Sequence, residues 1–510
     1  MKTHKAILCV LIIIALLLCY FCCIGKKNPS LISLFPLAHY DQEINDWLSP
    51  LRPDYNKLLL TLDQQAMRQV EFYRHYFGNE SPWNPGYVKQ IFSQSVSQDL
   101  KALEEKKINS FANPPSPSNK IGYGENFRPY PEKWLEQLRD HIHLHQFTAQ
   151  KYDFTKRAIA INNIAARLLP TEEPHFYSYT IPGQGYPFDN LQAAVVWAGT
   201  PVYILGETLD QDWSMVLTPG LIAWVKSTDI ARVNQHFVAE WLQSARHNLV
   251  AITNTQVPIV DTENGIFRFS AYIGMIFPAV KSRAGIQILI PVMDDKRQAH
   301  IHHAHFFNQR MVLMPLSATP HHFVAIMRHL LGRPYGWGGM YFYNDCSAEL
   351  KNLYTPFGIW LPVHSSSQVN PEKLLGKAVD LSSPAPRPRE RLIYLQQKGH
   401  PFMTIIYIGN HVLGYLGSYP DPTDPMHHIV PLSYQNVWGV KPKGGVERRA
   451  VIGKSVLFPL LTQYPEDPSL KTELNKTTFQ IMYLDEFPEN ILPSAVLKVP
   501  KVDLSTLLSP

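Results

Sequence analysis

The strongest constraint on this fold is a change of texture partway along the chain. Between residues 35 and 170 apolar residues recur at helical spacing, most clearly in LLLTLDQQAMRQVEFYRHYF (58–77) and PEKWLEQLRDHIHLHQF (131–147), a pattern that predicts amphipathic helices. A Pro/Ser/Asn-rich stretch, NPPSPSNKIGYG, separates the two. From residue 186 the runs become short and β-rich, broken at close intervals by Gly, Asp and Pro turns, as in AAVVWAGTPVYILGETLDQDWSMVLTPGLIAWVKSTDIARV (193–233). That rhythm suits a small β-barrel whose core would hold Trp213 and Trp224. A second unit of similar texture follows from about residue 249 to 305, and helix and strand signals then mix from 317 to 441. One uniform domain is excluded; the 510 residues leave room for roughly three or four.

Composition narrows the class. With 45% hydrophobic and 17% charged residues, intrinsic disorder, a collagen-like chain and a polytopic membrane protein are excluded. The net charge of +5 is too small for a nucleic-acid footprint, so no nucleic-acid partner is expected. Residues 6–25 form an uncharged apolar run behind Lys2 and Lys5, so segment 1–25 reads as a signal peptide or an N-terminal membrane anchor. The remainder is then expected outside the cytoplasm, in the periplasm or cell envelope, with a membrane contact through that segment. Four of the five cysteines (Cys9, Cys19, Cys22, Cys23) fall inside the run, which leaves Cys346 as the only thiol of the body. A lone cysteine in an exported protein is either an inert buried hydrophobe or a reactive group.

Three histidine clusters, at 141–145, 300–305 and 427–428, lack a cysteine or carboxylate at familiar metal spacing. His141 and His145 would share a helical face and form the best metal pair among them. The expectation is no metal and no cofactor.

The chemistry concentrates in LLGRPYGWGGMYFYNDCSAELKNLYTPFGIWLPVHSSSQ (330–368). Gly336, Gly338 and Gly339 read as turn glycines. Asp345 is placed to cap a helix that Cys346 opens and that Pro356 and Gly358 stop. A thiol in a first helical turn faces the positive end of the backbone dipole, which favours thiolate. Asp345 opposes this, so a histidine partner is required.

These residues resemble a known family. PYGWGG, DCSAEL and FGIWLPVHSSSQ are similar to the signature of the NlpC-type papain-like cell-wall endopeptidases, and KGHPFMTIIYIGNHVLGYLG with SYQNVWGV resembles their histidine strand and the strand after it. FYRHYFGNESPW, YGENFRPYPEKWLEQL, RLLPTEEPHFYSYTIPGQGYPFDNLQ and AGTPVYILGETLDQDW resemble the helical region and first barrel of the subgroup that carries two bacterial SH3 domains. The likeness runs from about Trp47 to Lys441.

The resemblance implies an α+β chain: signal or anchor at 1–25, helical region at 35–170, SH3-like barrels at 180–245 and 246–310, papain-like catalytic domain at 317–441, and a strand-containing tail at 442–510. Carried over residue by residue, Cys346 is the nucleophile and Tyr335 an oxyanion donor. His411 matches the base, because HVLGYLG fits the family's histidine strand whereas His400 precedes the strand before it. Gln435 takes the orienting position, where a histidine is commoner, with its carbonyl expected on the His Nδ1 proton. Asp345 would pair with a substrate ammonium, and Ser347, Ser365 and Ser366 would contact substrate. The Arg-Asp pair expected after LP is replaced by Val363 and His364. The implied reaction is hydrolysis of the γ-D-glutamyl bond to a diamino acid in peptidoglycan stem peptides or muropeptides. One alternative is a decayed peptidoglycan-binding scaffold that works through its barrels; another keeps the acyl transfer but makes it transpeptidation or amidase chemistry.

Overall fold

The computed structural model describes residues 32–487 except 94–98, 116–117, 119, 149, 284 and 445–447, together with residue 507. Segment 1–25 therefore lies outside the described residues. Among these residues no helix is long and apolar enough to cross a membrane.

Strand β1 (Ile32–Leu34) leads into five helices: α1 (Ile44–Trp47), α2 (Leu62–Tyr76), α3 (Pro85–Phe92), α4 (Leu100–Ser110) and α5 (Glu132–Ile142). The longest, α2, starts on a capping box in which Thr61 and Gln64 satisfy each other's backbone amides, an arrangement worth roughly 1 kcal/mol. Arg68 on α2 is fully buried, pairs with Glu71 at 2.8 Å and donates to the Leu484 carbonyl. It ties the helical region to the far end of the chain. The helix predicted at 131–147 is shorter than its apolar pattern: α5 ends at Ile142, and His143 turns left-handed at φ 52°. His141 and His145 therefore do not share a helical face, and His141 pairs with Asp210 at 2.7 Å instead.

The first barrel comprises β2 (Arg157–Ala160), β3 (Ile164–Arg167), β4 (Gln192–Val196), β5 (Pro201–Glu207), β6 (Trp213–Leu217), β7 (Ile222–Lys226) and β8 (Ile230–Arg232), in the order β4-β3-β7-β6-β5-β2-β8. Trp213 and Trp224 are buried as expected, and the Trp224 indole donates to Glu104 of α4 at 2.8 Å. Helix α6 (Gln235–His247) leads to a second unit of β9 (Leu249–Ile252), β10 (Val257–Val260), β11 (Phe267–Ala271), β12 (Ile276–Ser282), β13 (Gly285–Met293), β14 (Ala299–His305) and β15 (Met311–Leu313). Five of these form one sheet, and β10 and β11 pair as a hairpin.

The third layer holds α7 (Pro320–Leu330), α8 (Cys346–Tyr354), β16 (Lys377–Asp380), α9 (Pro388–Lys398), β17 (Thr404–Tyr407), β18 (Val412–Pro420), β19 (Ile429–Val440), β20 (Arg449–Pro459) and β21 (Gln480–Tyr483). Its sheet runs β1-β20-β19-β18-β17-β21-β16, with α8 packed on β18 and β19. Arg68, Trp241, Phe323, Leu350 and Phe402 are all buried, the apolar four in one core that spans the helical region and this layer.

Two expected boundaries are corrected by the pairing. Strands β2 and β3 fall inside the segment 35–170 read as helical, yet they hydrogen-bond into the first barrel; they are short, and the helical periodicity before them carries no stop signal. Strands β20 and β21 fall inside the tail read as 442–510, yet β20 covers β19 and β21 lies between β16 and β17. The sheet of this third layer is thus completed by strands from before and after the segment 317–441. The α+β class stands.

Candidate active site

Cys346 is the first residue of α8 and is 7% exposed, without a disulfide. Asp345 caps the helix, accepting from the Ala348 amide at 2.8 Å and from Ser347 Oγ at 3.0 Å. The loop before it is shaped by glycines: Gly338 and Gly339 have φ of 56° and 83°. A Cβ on Gly339 would lie 2.3 Å from Val195 Cγ2, and the Gln192 amide donates to the Gly338 carbonyl at 2.9 Å. The loop therefore lies directly on strand β4 of the first barrel, where only glycine allows both the dihedral and the approach.

His411 closes the turn between β17 and β18. Its Nε2 lies 2.6 Å from Gln435 Oε1 on β19. The protonation pattern follows from the chain of donors behind it. Ser433 Oγ gives its proton to the Phe458 carbonyl at 2.7 Å, so it accepts from the Gln435 amide nitrogen at 3.2 Å. That turns the Gln435 carbonyl toward His411, whose Nε2 carries the proton and whose Nδ1 is left as the basic nitrogen. The expectation that Gln435 would take the Nδ1 proton is corrected to Nε2. The other histidine considered as base, His400, is held by Asp485 at 2.8 Å, at the end of the chain that Arg68 anchors.

Electrostatics depart from the thiolate expected of a helix start. The Cys346 thiol is pushed up to about 12, first by burial and then by the Asp345 charge; the amides of Val412 and Ser347 act in the opposite direction and are outweighed. His411 is pushed down to about 4, chiefly by burial, although its bond to Gln435 favours the charged form. Burial thus favours the neutral thiol of Cys346 and the neutral imidazole of His411. Asp345 and Tyr335 are also raised by burial, Tyr335 further by Cys346 and Asp345, so its phenol remains a donor.

Tyr335, Asp345, Cys346, Ser347, Ser365 and Ser366 line one cleft of about 610 Å³. His411 lines an adjoining cavity of about 240 Å³, and Tyr335, Trp337 and Asn410 face both. Gln435 is fully buried behind His411. The first barrel lines the cleft through Gln192, Val195 and Trp197, and the helical region lines it through Phe111 and Lys120.

Several residues of the site are not apparent in the sequence motifs. Lys351 points into the cleft four residues after Ser347, a same-face helical spacing that could have flagged it; burial lowers its ammonium to about 8. Glu349 is buried beneath the site, where it accepts from Asn344 at 2.7 Å, Ser455 at 2.7 Å and the Tyr434 hydroxyl. It thereby joins the loop before Cys346 to the strands around Gln435. Val363, at the position of the expected arginine, packs on the first barrel: a Cβ on Gly220 would meet its Cγ2 at 2.9 Å. His364 lies on the cleft wall with Nε2 buried and without a hydrogen-bond partner among the described residues.

Among the described residues one group, Asp261, Glu263 and His302, has its ligand atoms close enough to hold a metal ion. It lies on the second barrel, and Asp261 is already held by Arg268 at 2.5 Å and His302 at 2.7 Å. An arginine bound to the central carboxylate makes this an ion-pair network.

Comparison with known proteins bears on most of the chain. Residues 8–147 match the family model of the NLPC_P60 stabilising domain, N term. Residues 174–226 match an SH3 domain of SH3b1 type and residues 234–284 one of SH3b2 type. Among solved structures the chain is similar to one described as a novel NlpC/P60 endopeptidase from Photobacterium damselae subsp. piscicida, at 25% identity and a TM-score of 0.74, over 90% of this chain and 100% of that one. An NLPC/P60 family protein from Bacillus cereus ATCC 10987 matches at 16% identity and a TM-score of 0.38, over 62% of this chain and 98% of that one. A search among curated proteins gave no match. The chain therefore carries a match to the NLPC_P60 stabilising domain and to two bacterial SH3 domains, and its α+β fold is similar to that of an NlpC/P60 endopeptidase.

Proposed function

We propose that the protein is an extracytoplasmic cysteine endopeptidase that hydrolyses the γ-D-glutamyl to diamino acid bond of peptidoglycan stem peptides. The observation that carries this reading is the His411–Gln435 bond, with the backbone amide of the next residue, Val412, turned to a free cysteine at a helix start. It is a papain-like arrangement in which a neutral amide orients the imidazole. With burial favouring the neutral thiol and the neutral imidazole, His411 Nδ1 takes the Cys346 proton as the sulfur attacks the scissile carbonyl. Tyr335 and the Cys346 backbone amide donate to the oxyanion, at roughly 3 kcal/mol per donor. His411 then protonates the leaving amine, and water hydrolyses the thioester with His411 as base.

The lining of the cleft supports short substrates. With the first barrel and, from the helical region, Phe111 and Lys120 narrowing the approach to Cys346, a fragment with a free N-terminal L-Ala fits better than cross-linked wall, and Asp345 is the carboxylate available for its ammonium. The family's action on the cell wall and the apolar segment 1–25 support a place outside the cytoplasm. Digestion of L-Ala-γ-D-Glu-diaminopimelate, the same peptide acetylated at L-Ala, and intact peptidoglycan tests this. The expected result is release of the diamino acid from the free tripeptide, with acetylation lowering the rate at least about tenfold, as loss of a charged hydrogen-bonded pair requires. Equal cleavage of all three would refute the role given to Asp345 and the barrel wall.

A further inference from the structure

The second barrel supplies no residue to the cleft around Cys346 or to the cavity beside His411. It nevertheless touches the loop that delivers the nucleophile, and that loop is strained. Tyr341 and Phe342 are both left-handed, at φ of 56° and 62°, a region that is costly for any residue with a Cβ and an outlier for bulky ones. Gly338 and Gly339 use the same region without that cost. A backbone of this kind persists only where its surroundings over-determine it.

Hydrogen bonds hold the two ends of the loop. Upstream, the Trp337 indole donates to the Asp189 carbonyl at 3.0 Å and the Gln192 amide to the Gly338 carbonyl at 2.9 Å. Downstream, Asn344 donates to Glu349 at 2.7 Å and accepts from Asn352 at 2.8 Å, and its backbone carbonyl accepts from Asn436 at 2.9 Å. Between these ends the strained pair is held by packing. The Phe342 ring centroid lies 6.2 Å from Trp197 and 5.9 Å from Tyr272, and Trp197 and Tyr272 stack on each other at 5.4 Å. Trp197 follows β4 of the first barrel, and Tyr272 opens the turn between β11 and β12 of the second. Rings from three units therefore meet at the loop, against the core of the second barrel.

The same turn also bears on the helix. Gly274 has φ 88°, and a Cβ there would lie 2.7 Å from Asn352 Cα. Asn352 is the residue of α8 that donates to Asn344. The second barrel thus meets the chain on either side of Cys346, at Phe342 and at Asn352. His411 lies at the start of a different strand, which this turn does not carry. If Phe342 relaxed to an ordinary φ, the loop would shift and Cys346 would move relative to its base.

We propose that the second barrel is a positioning element for the nucleophile: Tyr272, stacked with Trp197, holds Phe342 in place and so fixes the loop that sets Cys346 against His411. This rests on the pairing of Cys346 with His411 proposed above, and the identity of the bond cleaved does not enter it.

Full-length Tyr272→Ala, Tyr272→Phe, Phe342→Ala and the Tyr272→Ala/Phe342→Ala double variant test this, each shown to be folded by thermal melting and assayed well below its midpoint. Tyr272→Leu, which keeps more of the packing, stands in for Tyr272→Ala if the latter does not melt cooperatively. Tyr272→Ala should lower kcat on the tripeptide at least about tenfold, since small misplacements of reacting groups are that costly, with KM within about twofold of wild type. Tyr272→Phe keeps the ring and should stay within about twofold of wild type. The double variant should fall no more than about threefold below Phe342→Ala, because both substitutions act through one contact. Alkylation of Cys346 by iodoacetamide should change at least about threefold in Tyr272→Ala and not in Tyr272→Phe. An unchanged kcat in folded Tyr272→Ala, a loss confined to KM, or losses that multiply in the double variant would overturn the proposal. So would lost sedimentation with peptidoglycan at full tripeptide turnover, which would make the second barrel a wall-binding module. The two readings fail separately. A wild type inactive on the tripeptide, whose Cys346 alkylation still depends on Tyr272, removes the reaction and leaves the positioning role. An active wild type whose turnover and alkylation are both indifferent to Tyr272→Ala removes the positioning role and leaves the reaction.

Discussion

Replacing Gln435 with Leu tests the geometry of the base. Gln435 is fully buried, and leucine has similar bulk, so packing is largely kept while the carbonyl that receives the His411 Nε2 proton is removed. In the resting enzyme the loss is that of one neutral hydrogen bond, 2.6 Å long. In the transition state the imidazole carries the proton from Cys346 and the same bond becomes charge-assisted, worth about 1.5–3 kcal/mol. At about 1.4 kcal/mol per decade that predicts a fall in kcat/KM of roughly 10- to 150-fold. Because the bond to Gln435 holds the His411 pKa up against burial, its loss should also move the acid limb of the pH profile to lower pH. Gln435→Glu, which keeps an acceptor, should recover part of the rate. The assay is kcat/KM on the tripeptide from roughly pH 2.5 to roughly pH 9, so that the profile extends below the value of about 4 to which His411 is pushed down, alongside thermal melting. A Gln435→Leu enzyme within about twofold of wild type, with an unmoved acid limb, would refute a role for Gln435 in orienting His411, since one charge-assisted bond is worth more than that.

Other outcomes follow from the same contacts. His411→Ala should abolish turnover while His400→Ala retains it, because His400 is occupied with Asp485; steady-state rates of the two variants decide. Alkylation of Cys346 by iodoacetamide should accelerate as pH rises through the alkaline range rather than level off in mild acid, since the thiol is pushed up to about 12; a plateau in mild acid would indicate a resting thiolate–imidazolium pair. His411 and His175 are both held down to about 4, so between there and the unfolded value near 6.5 the unfolded chain binds more protons and stability should fall as pH falls through that window. Cys346, raised above its unfolded value, should cost stability as pH rises beyond about 9; melting temperature against pH measures both. Glu349→Gln should destabilise by about 2 kcal/mol, since it turns an acceptor for three buried donors into a group with only one oxygen, and thermal unfolding checks this.

The helix that Cys346 opens was legible because it depends on local pattern, a capping residue and a stop at Pro356 and Gly358, whereas His411 was singled out through the likeness of HVLGYLG to the family's histidine strand. Gln435 was legible only through the family resemblance, and the ring nitrogen it binds was not, because that is fixed by Ser433 and Phe458 across the sheet. Long-range pairing hid the extent of the sheet: nothing near residue 449 announces that β20 will flank β19 and also receive β1. The same holds for the thiol. A helix start alone argues for a lowered pKa, but burial and the Asp345 charge, which depend on the packed structure, outweigh it.

The most direct test of the central claim is the rate at which free diamino acid is released from L-Ala-γ-D-Glu-diaminopimelate by wild type, Cys346→Ala and His411→Ala at equal concentration, followed by mass spectrometry. Release by wild type alone is expected, with the L-Ala-γ-D-Glu acyl group recovered on the peptide containing Cys346 when the reaction is acid-quenched. Release undiminished in Cys346→Ala, or none from a folded wild-type protein, would contradict it.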